Sequence, residues 1–85
     1  MKKYAYLTSD RQKVLDIMRE YAHKIEDDYI SSISRRDIAY YMECSPSKIK
    51  MITLGLIENN FLKRRSGSKT EYVFTEEGLK ATEED

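Results

Sequence analysis

Two serines fix the middle of this chain. Ser34 stands three residues before Asp37, and Ser45 is followed directly by Pro46. A serine oxygen that accepts from a backbone N–H three residues on starts a helix. Proline suits the first helical position, where its missing N–H would have had no partner. One helix therefore starts at Ser34, and a second at Ser45. Ile38, Ala39 and Met42 mark the buried face of the first, which ends near Glu43 after about ten residues. Ile49, Ile52 and Leu56 form the apolar stripe of the second, which runs to about Glu58. The middle of the chain thus reads as helix, tight turn, helix.

The flanks supply the rest of the architecture. From Ser9 to about Lys24 the apolar residues Val14, Met18, Tyr21, Ala22 and Ile25 recur at helical spacing. Ser9 with Gln12 makes a capping-box pattern at the start of this first helix. The acidic run Glu26-Asp27-Asp28 and the following Tyr29 to Ile33 have no helical period, and read as a loop carrying a short extended segment. After Asn59-Asn60, which tolerate the left-handed backbone that closes a helix, Phe61 to Arg65, Ser66-Gly67-Ser68 and Lys69 to Phe74 read as strand, turn and strand. Thr75-Glu76-Glu77 places a cap and two acids at the start of a last, short helix. The expected fold class is α+β, mainly α: three helices, a β-hairpin and a short C-terminal helix, in one domain over residues 1–85.

Composition removes several classes of function. With one cysteine, Cys44, and one histidine, His23, the chain has neither an internal disulfide nor a Cys/His metal cluster. No apolar run reaches the roughly 20 residues of a membrane span, and the start Met1-Lys2-Lys3-Tyr4 lacks a signal peptide's apolar stretch, so a cytoplasmic protein is expected. Ser66-Gly67-Ser68 lacks the lysine and helix of a nucleotide-binding loop, no nucleophile stands with an acid or base, and no cofactor or enzymatic activity is expected. His23 reads as a surface residue and Cys44 as a buried, inert thiol.

Net charge is zero, but its distribution is uneven. Residues 45–74 hold six Lys/Arg against two Asp/Glu, whereas residues 75–85 hold one against five. The positive charge therefore gathers on the second helix of the pair and on the hairpin.

The order helix, short strand, helix, tight turn, helix, hairpin resembles the winged helix-turn-helix family over Ser34 to Phe74. The helix-turn-helix spans about residues 34–58 and the wing about 61–74. Ile38, Ala39, Met42, Cys44, Ile49 and Ile52 fall where the family buries side chains, with the small Ala39 where the helices approach most closely. Glu43 departs from the glycine usual in the shorter helix-turn-helix pattern. Leu56 to Arg64 looks like the passage that enters the wing of MarR-like and PadR-like bacterial repressors, and Tyr72 to Leu79 is similar to the way they leave it. In those families a long helix follows and builds the dimer. Here the sequence stops at Asp85, so a dimer is expected to form by other contacts.

The resemblance implies a homodimeric, sequence-specific transcription regulator that binds double-stranded DNA, with no small-molecule effector evident. Its second helix would enter the major groove. Ser45, Ser47, Lys48, Lys50 and Met51 lie off the buried stripe of that helix and are the candidate base and phosphate contacts. Lys63, Arg64, Arg65 and Lys69 flank the hairpin turn and are the candidate backbone contacts. The rival reading is a protein-interaction module, as in a replication, plasmid or viral assembly, that uses Met51, Leu54 and the tyrosines Tyr4, Tyr6, Tyr40 and Tyr41. Neutral net charge favours the rival.

Overall fold

The computed structural model describes residues 4–83. In chain order the elements are α1 (Ser9–Glu20), β1 (Ala22–Ile25), β2 (Asp28–Ser31), α2 (Arg35–Met42), α3 (Pro46–Glu58), β3 (Leu62–Arg64), β4 (Tyr72–Phe74) and α4 (Glu76–Ala81). The strands form one antiparallel sheet in the order β1-β2-β4-β3. The α2–α3 pair is the helix-turn-helix and β3–β4 the wing, so the fold is a winged helix-turn-helix of the α+β class.

Both serine caps form. Ser34 Oγ accepts from the Asp37 N–H at 3.1 Å, and Ser45 Oγ accepts from the Lys48 N–H at 3.2 Å, with Pro46 in the first turn. Glu43 closes α2 in the left-handed region, at φ 56° and ψ 48°, and the next N–H, that of Cys44, returns to the Ala39 carbonyl at 3.0 Å. This is the position at which the shorter pattern calls for glycine, and the reason is visible in that φ. Asn60, at φ 68°, plays the same part after α3.

The first helix is shorter than its periodicity implies. It ends at Glu20, and its N-cap is Thr8, which makes no side-chain capping bond; the Ser9–Gln12 box does not form. Residues 22–25 are instead a strand, paired with β2 from Ala22 opposite Ser31 to Ile25 opposite Asp28, and Glu26 and Asp27 make the turn between them. Tyr21 and Ile25, expected on the buried stripe, are 40% and 42% exposed. Sheet pairing overrides the helical spacing here because β2, itself held by β4, offers a free edge for residues 22–25.

The wing strands are shorter, and their loop longer, than the sequence implied. Ser68 Oγ accepts from the N–H groups of Thr70 and Glu71 at 3.2 and 3.1 Å, which turns Lys69 and Thr70 away from strand geometry. The loop runs over residues 65–71, with Gly67 at φ 80°.

Val14, Leu15 and Met18 of α1, Ile38 and Ala39 of α2, Ile49, Ile52 and Leu56 of α3, and Phe61, Leu62, Tyr72 and Phe74 of the wing base form the core. Met42 and Cys44, expected to be buried, are only half-buried at its rim. The approach of α4 to the wing base is closer than any side chain allows: a Cβ on Gly78 would overlap the Phe61 carbonyl oxygen. Among the described residues no helix is long and apolar enough to cross a membrane.

Candidate nucleic-acid interface

The candidate residues of α3 all face solvent. Ile49, Ile52, Thr53 and Leu56 are buried, and at about 100° per residue the opposite row is Ser47, Met51, Leu54 and Glu58. Ser45, Ser47, Lys48, Lys50 and Met51 are exposed, Met51 by 69%. Two of these groups already have partners. Ser45 Oγ is engaged as the cap, and Lys48 Nζ lies 3.0 Å from Asp10 Oδ2. That hydrogen bond to Asp10 raises the Lys48 pKa above the ordinary lysine value. Lys50 makes no ion pair among the described residues. Leu54 is half-buried and lines a groove with Tyr6, Arg11 and Met51.

In the wing, Lys63, Arg64 and Lys69 are exposed, and the Arg64 guanidinium lies 5.8 Å from the centre of the Tyr72 ring. Arg65 is tied down, with Nη1 2.9 Å from Glu71 Oε1. Lys69 borders a groove with Ser32, Ser34 and Arg35, so the wing loop meets the N-terminus of α2. Arg35 was not among the residues singled out from the sequence. Its signal was there: Arg35 and Arg36 occupy a helical first turn, where the helix dipole favours acids and disfavours cations. Arg35 and Arg36 thus add positive charge at the start of α2, and Arg35 lines the same groove as Lys69.

The four tyrosines of the rival reading divide into two pairs. Tyr4 donates to Glu77 at 3.0 Å and meets Phe61 edge-on, and Tyr6 lies against Gly55 beneath the Arg11 guanidinium, so both cover the core. Tyr40 and Tyr41 are 81% and 54% exposed. Tyr41 stacks on Tyr21 with ring centres 6.0 Å apart and accepts its phenol proton at 3.0 Å, and Tyr40 meets Tyr41 edge-on. Tyr21 escaped notice because the helical spacing assigned it to the interior. His23 is exposed, on β1 and not on a helix. Among the described residues no cluster of His, Cys, Asp and Glu could hold a metal ion.

No protein-family model and no curated protein sequence matches the chain. Two solved structures share its fold. The reduced, Fe(II) CO-sensing protein from R. rubrum superimposes with a TM-score of 0.72 at 12% identity, over 87% of this chain and 36% of that one. Reduced CprK without ligand superimposes with a TM-score of 0.56 at 14% identity, over 91% of this chain and 40% of that one. The chain thus spans between 36% and 40% of the length of these proteins, and at such identities what is shared is the fold.

Proposed function

We propose that the chain is a single winged-helix domain that binds double-stranded DNA as a sequence-specific transcription regulator. In this reading α3 lies in the major groove, and Ser45, Ser47, Lys48, Lys50 and Met51 face base edges and phosphates. Lys63, Arg64, Arg65 and Lys69 hold the flanking backbone from the wing. The observation that carries the reading is the exposure of Lys50 on α3 and of Lys63, Arg64 and Lys69 on the wing, with Lys69 facing Arg35 of α2 across one groove. A homodimer in the cytoplasm, reading two half-sites, completes it, and sedimentation at micromolar concentration tests the dimer.

The direct test is titration of a fluorescent random-sequence duplex with the wild type and with a Lys63→Ala, Arg64→Ala, Arg65→Ala triple variant, followed by anisotropy at low and near-physiological salt. Wild-type binding weakens as salt rises by about 0.9 log units per log unit of salt for each phosphate contacted, and the triple variant has a shallower slope. Absence of binding by the wild type even at low salt removes the DNA reading.

One observation favours a second reading. Tyr21, Tyr40 and Tyr41 form an exposed aromatic cluster away from the core, of the kind enriched at protein interfaces. If the titration shows no DNA binding, this face is where a protein partner should be sought.

A further inference from the structure

The outermost row of α3 is apolar at its centre. Ser47, Met51 and Glu58 are exposed opposite the buried Ile49, Ile52 and Leu56, Met51 by 69%, while Leu54 in the same row is half-buried against the groove of Tyr6 and Arg11. Lys48 and Lys50 sit on either side of this row, displaced from it by roughly 80° around the helix axis. A helix in the major groove with cations toward both walls turns its middle row to the base edges. The Met51 thioether has no donor to offer a phosphate, so its place in that row needs another explanation.

The largest apolar group that the major groove presents is the C5 methyl of thymine; beside the small C–H edges, the other base-edge groups there are hydrogen-bond donors or acceptors. An unbranched, flexible methionine fits such a methyl well. Against a cytosine amino group or a guanine carbonyl it would strip water without replacing the lost hydrogen bond. Gain at one base and penalty at the others act in the same direction. We infer that Met51 is a specificity-determining residue that reads the 5-methyl group of thymine, so the DNA site of α3 carries a thymine facing it. The inference rests on the DNA-binding reading above.

The test is selection of bound duplexes from a random pool by the full chain. The selected duplex is then resynthesised with deoxyuridine, which lacks only the methyl, at each thymine in turn. Loss of one buried methyl lowers wild-type affinity about three- to five-fold at one position and leaves the other positions unaffected. Met51→Ala binds the thymine and deoxyuridine duplexes equally, while Met51→Leu retains the preference. Because Met51 is exposed, both variants keep the wild-type circular dichroism. Sequence-selective binding in which no deoxyuridine matters, or a methyl effect that survives in Met51→Ala, overturns the inference and leaves the DNA reading standing. A wild type that binds no duplex overturns both.

Discussion

The ammonium of Lys48, in the first turn of α3, is held 3.0 Å from a carboxylate oxygen of Asp10, in the first turn of α1. Both side chains are about half exposed, at 51% and 52%, and exposed pairs of this kind add little to stability. Their effect on a polyanion is larger, since Asp10 neutralises a candidate phosphate contact and adds a repulsive charge next to it. Asp10→Asn is expected to leave thermal unfolding unchanged. It should tighten binding to a random duplex by about two- to five-fold at low salt, with the gain vanishing as screening shortens the range of charge interactions. Unchanged affinity at low salt would place Lys48 away from the phosphates.

The wing arginines are expected to differ in the same way. Arg65 is shared with Glu71 at 2.9 Å, whereas Arg64 lies over the Tyr72 ring with no acid partner among the described residues. Arg64→Ala should lower the salt slope of binding by about 0.9, the value of one full phosphate contact, and Arg65→Ala by clearly less. Glu71→Gln, by releasing Arg65, should raise the slope. Equal losses from the two arginine variants would show that Glu71 gives up its partner when DNA arrives.

What the sequence disclosed and what it hid follow from the range of the forces involved. Ser34, Ser45 and Thr75 act on backbone groups three residues away and Pro46 fixes its own backbone in the first turn, so the starts of α2, α3 and α4 were legible from a few letters. The exposed row of α3 followed from helical period alone. β1 was illegible because a four-residue strand has no stability of its own. Ala22–Ile25 is a strand only because Asp28–Ser31 lies beside it, and that strand is held in turn by Val73 opposite Ile30. The modifiers of the site were hidden for the same reason. Asp10 beside Lys48, and Arg35 across a groove from Lys69, are arrangements created by tertiary packing.

The left-handed Glu43 offers a test of how the helix-turn-helix is closed. At φ 56° and ψ 48° its Cβ is strained against the backbone, a penalty glycine does not carry. Glycine loses more backbone freedom on folding, which offsets part of the gain. Glu43→Gly is therefore expected to stabilise the fold by about 0.5–1 kcal/mol. Urea unfolding would show this as a higher midpoint with an unchanged m-value. A lower midpoint would mean that the Glu43 side chain contributes more than its backbone strain costs.

Two phenols, and to a small extent one half-exposed ammonium, are expected to make stability fall on the alkaline side. The Tyr4 hydroxyl donates to Glu77 at 3.0 Å and the Tyr21 hydroxyl donates to Tyr41 at 3.0 Å. These hydrogen bonds are the chief cause raising each pKa above the ordinary tyrosine value of 10.0. Lys48 is raised by its hydrogen bond to Asp10. In all three cases the folded state holds the proton more tightly than the unfolded chain. The stabilisation is thus complete below the unfolded pKa, about 10, and is lost as pH rises through the folded values. The urea midpoint should be insensitive to the titration of these groups at neutral and mildly alkaline pH and should fall above about pH 10. Tyr4→Phe keeps the ring against Phe61 but removes the hydrogen bond to Glu77, so it should lower the midpoint on the flat part and make the alkaline fall shallower. An alkaline limb identical in Tyr4→Phe, Tyr21→Phe and the wild type would assign the fall to other groups.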